Sequence, residues 1–540
     1  MKPNQNRQGR LSLLCFGWGN PSLVDSYLKL ISYLQKCAEI EPYFITSNPT
    51  GKLIFLQKGY QAFTVRELYN LSRDTNAIPI EEKDLKPLLD YELLNQRWLP
   101  DEDPTTSLAD SQMNYYHWQA LRILTAYSDL FNAIQPQAVI TWNGAPLFAW
   151  ALAFLARRKG VPTYFLERGL LPDTLVVDPQ GVNYGSHLAG ANWEKIHATQ
   201  PTAEEMRSLR QLCLELQNQK RTIVRQGQDI SATDLRMKLG IPPRARTILM
   251  PLQIETDSNI LSYSPYYKKM ADIISDLQKI LKNIEEVILL IRPHPEDRSR
   301  LAELRSLANG KTRVNTEFSL HSLLALADVV VTVNSTVGLE ALLQRKPVVV
   351  LGRAIYGEKG FTFDLDHPGQ LAEKLQLALQ AAETRSFPLE AFYTFLKYLL
   401  EHSLFSLSER DPWASRKTIA DRIIAAARKT PPATASASRN LEQLIGANQT
   451  HLDWLRRPDS AIGLTKPSIL LAFPPRRLRQ FLVQNVDQAQ IQILTRKNAW
   501  WRVFPLLVRT YDSALYFGDY HGLPSWVWSL VRAKRKAQLV

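Results

Sequence analysis

The stretch 328-DVVVTVNSTVGLEALLQRKPVVVLG-352 contains two β-branched runs separated by a helical pattern. Residues 328–335 and 347–352 read as strands. Short runs of this composition suit central parallel strands covered on both faces. Residues 337–345 between them carry helical spacing. Strand, short helix and second strand make one unit of an open α/β sheet. The first strand runs directly into Asn334, Ser335 and Thr336, where the helix begins. Ser and Thr are good helix caps. A helix start also offers free N–H groups and a positive dipole end, where a phosphate is at home. Glu340, one turn further on, is placed to accept hydrogen bonds from ribose hydroxyls. The bland alternative is a capped helix and nothing more.

Working outward, the same pattern repeats. Strands are expected at 246–253, 286–293 and 312–316, with helices at about 266–284, 298–308 and 320–327. An earlier series has strands at 11–20, 41–47, 137–144 and 162–169. Its helices fall at 23–37, about 114–134, and 145–159. Residues 75–113 are polar and acidic and read as an insertion or irregular region. The expected organisation is a Rossmann-like domain at 1–200, a helical connection at 201–240 and a second Rossmann-like domain at 241–428. A Pro/Ala/Ser linker at 429–438 and a basic, tryptophan-rich extension at 439–540 follow. The fold class is therefore α/β. Two Rossmann-like domains in one chain put a cleft between them, which is the GT-B arrangement expected here, although two such units also occur in periplasmic binding proteins and some epimerases. A mainly helical extension is expected to complete the chain.

Composition narrows the function classes. The 540 residues are 45% hydrophobic and 22% charged, which is the balance of a folded chain. No apolar run reaches the roughly 20 residues that span a bilayer. The longest, 144-GAPLFAWALAFLA-156, ends in Arg157, Arg158 and Lys159. The first 20 residues lack the apolar core of a secretory signal. Cys15, Cys37 and Cys213 are widely spaced, with neither a disulfide framework nor zinc spacing, so reduced thiols and a cytoplasmic setting are expected. The histidines form no HxH or HExxH pair. Asp364-Leu365-Asp366 lies outside the strand pattern, so metal-independent chemistry is expected.

Ligands of open parallel sheets bind beyond the carboxyl ends of strands. In the second series those ends include 253-QIETDSN-259, 292-RPHPED-297 and 334-NSTVGLE-340. Pro293 and Pro295 stiffen the loop around His294. A histidine held there can bond a phosphoryl oxygen or protonate a leaving phosphate, and Arg292 adds a charged contact. The alternative is a rigid turn with a solvated histidine. In the first series the ends are 17-GWGN-20, 142-WNG-144 and 167-ERGLLPD-173. Glu167 ends a short apolar strand at a glycine turn, facing the cleft. It is placed to act as a base or nucleophile, or to stabilise positive charge at a sugar carbon. A surface pairing with Arg168 or Arg158 is its bland reading.

Four stretches in this order carry a family resemblance: 166-LERGLLPDTLVVDPQGVN-183, 250-MPLQIETDSNI-260, 292-RPHPED-297 and 333-VNSTVGLEALLQRKPVVVLG-352. Together, over roughly residues 135–365, the chain resembles the capsule polysaccharide biosynthesis family, which includes β-Kdo transferases. That family is similar in its logic to bacterial sialyltransferases. Both use a CMP-activated 2-keto sugar acid in a GT-B-like cleft. The resemblance implies that Glu167 is the catalytic carboxylate and that His294 contacts the CMP phosphate and assists its departure. It implies that Ser335 and Thr336 bind that phosphate, with Arg292 beside them and Glu340 at the ribose. Gln253, Asp257 and Ser258 would lie near the donor. Gly17, Trp18, Asn20 and Asn143 are assigned to the acceptor side. The implied partners are a nucleotide sugar and a glycan or glycolipid acceptor, with no cofactor beyond the CMP-sugar donor. Arg168, between the acid and Gly169, departs from the family pattern. Competing readings are a GT-B transferase using a UDP- or GDP-sugar, and a non-catalytic protein associated with glycan export.

The net charge of +13 is uneven. Residues 439–540 hold 15 Lys and Arg against 6 Asp and Glu, and so carry most of it. Trp454, Trp500, Trp501, Trp526 and Trp528 are interleaved with 476-RRLR-479, 496-RK-497 and 534-KRK-536. Tryptophan favours membrane interfaces, and basic residues favour anionic lipids. The functional reading is a peripheral contact with the inner face of the cytoplasmic membrane. The bland one is a small module with tryptophans in its core. No nucleic-acid motif accompanies the charge, so nucleic acid is not an expected partner.

Overall fold

The computed structural model describes residues 10–71, 80–96, 108–196, 198–218, 227–295, 301–408, 415–431, 445–446 and 448, and strand segments at 469–472, 491–494, 510–517 and 532–539. The first sheet opens with β1 (Leu11–Gly17), β2 (Ile40–Thr46), β3 (Gln61–Thr64), β4 (Ala138–Trp142), β5 (Thr163–Arg168) and β6 (Thr174–Asp178). The second holds β7 (Arg246–Pro251), β8 (Val287–Arg292), β9 (Thr312–Val314), β10 (Val329–Thr332), β11 (Val348–Val350) and β12 (Phe363–Asp364). One late strand, β13 (Leu404–Ser406), rejoins the first sheet.

The second sheet runs β12-β11-β10-β7-β8-β9, with every pair parallel. Counted from β7 this is the 3-2-1-4-5-6 order of a doubly wound sheet, reversing between β7 and β10. The first sheet runs β13-β6-β5-β4-β1-β2-β3 and reverses between β1 and β4. Its β1 to β5 are parallel, whereas β6 and β13 add antiparallel to the edge. The two Rossmann-like sheets of the GT-B arrangement are thus present.

The strands form where sequence and burial agree. All six residues of β8, VILLIR, are buried, as are all four of β10. Helices close both faces with apolar stripes at helical spacing. Met270–Leu281 buries Met270, Ile273, Ile274, Leu277 and Leu281 against the second sheet. Each such side chain contributes about 1.5–3 kcal/mol of burial. Between the sheets the core is continuous. Leu170, Leu171 and Leu188 of the first unit share one cluster with Leu320, Leu323 and Leu339 of the second.

Three boundaries differ from the sequence expectation. The second domain does not run to 428. The chain crosses back at β13, and the helix Arg416–Lys429 packs on the first unit, placing Ile419 and Ile423 in the cluster of Leu13 and Leu34. The Arg422 guanidinium donates to the Val177 carbonyl at 3.0 Å, and Gln137 donates to the Thr430 carbonyl at 3.2 Å. The crossing happens because β6 leaves an open sheet edge that Leu404–Ser406 pairs. Within 75–113, the described residues are helical. Glu82–Gln96 buries Leu85, Leu88 and Leu89, and Leu108 starts a helix that reaches Ile134. Of the described charged residues there, Lys86 and Asp90 bond each other on the exposed side, whereas Glu92 is buried and accepts from the Leu147 N–H at 3.0 Å.

Past the linker, expected to be mainly helical, the described elements are chiefly four strands, β14 (Ile469–Ala472), β15 (Ile491–Leu494), β16 (Thr510–Phe517) and β17 (Arg532–Leu539). They form a parallel sheet in the order β15-β14-β16-β17. Ile and Tyr in these segments favour strands over helix. The helical C-terminal portion is instead Leu371–Thr384, Leu389–His402 and Arg416–Lys429. Linker residues 432–438, the five tail tryptophans, 476-RRLR-479 and 496-RK-497 lie outside the described residues. Among the described residues, no helix is long and apolar enough to cross a membrane.

Candidate active site

The carboxyl ends of both sheets open onto one cleft of about 420 Å³. Glu167 and Arg168 stand on the first wall. Gln253, Asp257, Ser258, Arg292, His294, Ser335, Thr336 and Glu340 stand on the second. Residues far apart in sequence therefore meet because each follows a strand near a point where strand order reverses.

On the first wall, β5 turns back into β6 directly after Glu167 and Arg168. The Gly169 N–H donates to the Thr174 carbonyl at 2.9 Å. A Cβ at Gly169 would lie 1.8 Å from Thr174 Oγ1 and 2.4 Å from the Thr174 carbonyl oxygen, so only glycine lets the hairpin close. That closure fixes where Glu167 points. Its carboxylate accepts from the Arg168 backbone N–H at 2.9 Å and from Asn143 Nδ2 at 2.8 Å. Burial raises the Glu167 pKa above the ordinary carboxylate value, and the two hydrogen bonds oppose that only in part. The nearby Asp257 carboxylate adds to the rise.

On the second wall, β8 delivers Arg292, Pro293 and His294. Arg292 is buried, which lowers its pKa from the ordinary guanidinium value. Its carbonyl accepts from Leu252 N–H at 2.8 Å, tying the loop after β8 to the end of β7. Glu296 and Asp297 of the RPHPED stretch lie outside the described residues. After β10, Ser335 caps the helix Thr336–Leu343 by accepting from the Val337 N–H at 3.3 Å. The cap is braced from behind by Tyr356, whose hydroxyl donates to the Ser335 carbonyl at 2.5 Å. Gly338 makes this possible, because a Cβ there would fall 2.1 Å from the Tyr356 oxygen.

Gln253 is committed elsewhere. Its amide donates to Asn334 Oδ1 at 2.9 Å and accepts from the Asn334 N–H at 3.1 Å. Asn334 Nδ2 in turn donates to the carbonyls of Asn259 (3.0 Å) and Tyr263 (3.3 Å). Gln253 and Asn334 therefore hold the loops after β7 and β10 in register. Asp257 caps the helix Ser258–Tyr263 through the Asn259 N–H at 2.8 Å, and burial raises its pKa against smaller opposing effects. Glu340 is half-buried, and desolvation pushes its pKa up to about 7. Three carboxyl groups of the cleft are thus biased toward protonation. Among the described residues, no three His, Cys, Asp or Glu side chains group as a metal site.

Of the residues expected on the acceptor side, Asn143 reaches the site through Glu167, but the other three do not line the cleft. Asn20 caps the helix Pro21–Cys37, accepting from the Ser22 N–H at 3.1 Å. Trp18 meets Phe16 edge-on at 5.3 Å, and Gly17 lies against the Tyr27 ring. Leu23, on that helix, lines the cleft in their place. The sequence reading assigned no role to Asn334 or to Asn183, which also lines the cleft. Asn334 carries a signal, an amide just before a Ser-Thr cap, whereas nothing local marks Asn183.

Comparison with known proteins supplies relatives. Residues 205–403 match the model of the family described as capsule polysaccharide biosynthesis protein. Protein FixF of Sinorhizobium fredii is 25% identical over 248 residues, covering 44% of this chain and 54% of that protein. The capsule polysaccharide export protein KpsS of Escherichia coli is 34% identical over 129 residues, 22% of this chain and 33% of that one. The chain thus spans about half and about a third of the length of these curated relatives. Among solved structures, the β-Kdo 2,7 transferase of Thermosulfurimonas dismutans KpsC is 20% identical, with a TM-score of 0.34, covering 57% of this chain and 90% of that one.

Proposed function

We propose that the protein is a glycosyltransferase of capsular or related surface glycans, a reading supported by the match of residues 205–403 to the capsule polysaccharide biosynthesis family. It transfers a Kdo-like sugar acid from a CMP-activated donor to a glycan or lipid-linked acceptor, without a protein-held metal. The observation that carries this reading is one cleft with Glu167 on one wall and His294, Arg292 and the Ser335–Thr336 helix start on the other.

Breaking the bond from an anomeric carbon to CMP builds positive charge on the sugar and negative charge on the departing phosphate. Catalysis requires groups that meet both charges more strongly in the transition state than before it. Glu167 meets the first. The helix start, Arg292 and His294 meet the second, and His294 protonates the phosphate as it leaves. Glu340 accepts from the ribose. Gln253 serves by holding Asn334 and the loops, not by touching the donor. An anomeric configuration kept in the product would mark Glu167 as a nucleophile; one inverted would mark it as the base that deprotonates the acceptor.

The test pairs binding with turnover. Thermal stabilisation is measured with CMP, UDP and GDP, and product formation with CMP-Kdo and a panel of glycan and lipid acceptors. Stabilisation by CMP and a product lost in Glu167→Gln are expected. Stabilisation by UDP or GDP alone would overturn the donor. A product unchanged in both Glu167→Gln and His294→Ala would overturn catalysis at this cleft.

A further inference from the structure

The turn after β4 is built with unusual constraint. Asn143 has φ 63° and Gly144 φ 91°, two successive left-handed residues. Asparagine tolerates that region and glycine prefers it. The Phe165 ring fills the space where a Gly144 Cβ would stand, 2.6 Å away. The Asn143 N–H donates to the Leu166 carbonyl at 2.8 Å, so backbone and side chain are both held.

The side chain is then oriented without ambiguity. Asn143 Oδ1 accepts from the Ala145 N–H at 3.2 Å, and a backbone N–H can only donate. Nδ2 therefore faces the cleft with two hydrogens. One goes to Glu167 Oε2 at 2.8 Å, on the same wall. The other goes to Ser258 Oγ at 3.1 Å, on the opposite wall. Ser258 opens the helix Ser258–Tyr263, and the Asn259 and Tyr263 carbonyls of that helix accept from Asn334. Asn334 immediately precedes Ser335. An unbroken run of hydrogen bonds and backbone thus joins the helix start at Ser335 to the Glu167 carboxylate.

We infer that Asn143 is a positioning residue that ties the carboxylate of Glu167 to the placement of the second wall. With Ser258 in reach, both amide hydrogens are used inside the cleft and Glu167 is held in one orientation. When the second wall withdraws, the amide loses its anchor there and Glu167 gains freedom. The cleft thus readies its carboxylate only when the phosphate-facing wall is in place. This rests on Glu167 being the reacting group proposed above.

Glycine accepts φ 63° without strain, so Asn143→Gly removes the amide and keeps the turn; Asn143→Asp keeps the acceptor facing Ala145 and removes the donor. The Glu167 carboxyl is followed by ¹³C NMR in protein labelled at glutamate Cδ and assigned with Glu167→Gln. In Asn143→Gly its titration midpoint should rise by about one pH unit, the size of one lost hydrogen bond to a carboxylate, and in Asn143→Asp by more, because a second carboxylate then stands beside it. Amide exchange over 258–263 should speed up about fivefold. In Ser258→Ala, which takes away the anchor of the Asn143 amide on the second wall, the exchange should speed up and the Glu167 midpoint should rise in the same direction by a smaller amount. An unmoved midpoint in Asn143→Gly or in Ser258→Ala, or unmoved exchange in all three variants, would overturn the inference. Neither readout needs turnover. If CMP-Kdo is not consumed yet both readouts move, the coupling stands and the proposed donor falls.

Discussion

Replacing Glu340 by glutamine should stabilise the protein at pH 8, and by progressively less as the pH falls toward 4. The carboxyl sits half-buried in the first turns after Ser335, and desolvation raises it from 4.5 to about 7. A raised acid binds its proton more tightly in the folded state than in the unfolded one. Between pH 4.5 and about 7 the folded state therefore holds more protons, and stability falls as pH rises. Below 4.5 both states are protonated and nothing is lost. Above 7 the full penalty applies. Each pH decade of difference is worth about 1.4 kcal/mol, which puts the ceiling at about 3 kcal/mol. Water at the cleft mouth screens part of this, so a gain of about 1–3 kcal/mol is expected for Glu340→Gln at pH 8. Urea denaturation of wild type and variant, followed by tryptophan fluorescence at pH 5, 6, 7 and 8, measures it. A stability difference that stays constant across that range would refute the reasoning, because a neutral amide and an uncharged acid differ only where the acid ionises.

Three further outcomes follow from the same geometry. On the proposed reading, Glu167→Gln and His294→Ala should each lower turnover of CMP-Kdo about 100-fold or more without lowering the urea midpoint, and Glu167→Gln should raise it at neutral pH because burial raises the Glu167 pKa. Gly169→Ala should destabilise by about 1–3 kcal/mol and abolish turnover together, because the hairpin cannot close around a methyl group 1.8 Å from Thr174 Oγ1; a fully active, equally stable variant would contradict the role given to that turn. Asp178→Asn should cost at least about 2 kcal/mol at pH 7. Burial alone would raise this carboxyl, but bonds from His187, Ser186 and the Gln180 N–H hold it below the ordinary value. Its stabilisation is present above pH 3.8 and disappears as pH falls through the lower folded value, so the variant should lose that acid-side dependence.

The strands of both sheets were legible where they are long and wholly apolar, as in VILLI and VVV, because burial on both faces removes the alternation that confuses shorter ones. The second-wall residues were legible for the same reason, since strand ends at a reversal point converge. β3, β6 and β13 escaped notice. Gln61–Thr64 is four residues long, and Leu404–Ser406 is three residues set between two helices, with a partner more than 220 positions away. Position at a strand end also says nothing of direction. Asn20 follows β1 as Asn143 follows β4, yet one caps a helix and the other reaches Glu167. What separates them is the left-handed turn at Asn143 and Gly144. Gln253 was placed beside the donor by its location alone; its partner Asn334, 81 residues on, could be found only in three dimensions.

The return of β13 and the helix Arg416–Lys429 to the first sheet bears on how the molecule is made. A ribosome that has released residues 1–200 has released an unfinished sheet, with the outer edge of β6 exposed and the apolar surface of Pro21–Cys37 uncovered. The second unit, by contrast, has all six strands in hand by residue 364. The later-synthesised half can therefore complete itself first, and the earlier half waits for it. Truncation near residue 200 should yield an aggregating fragment, whereas 1–431 contains every strand of the first sheet and the helix that covers it.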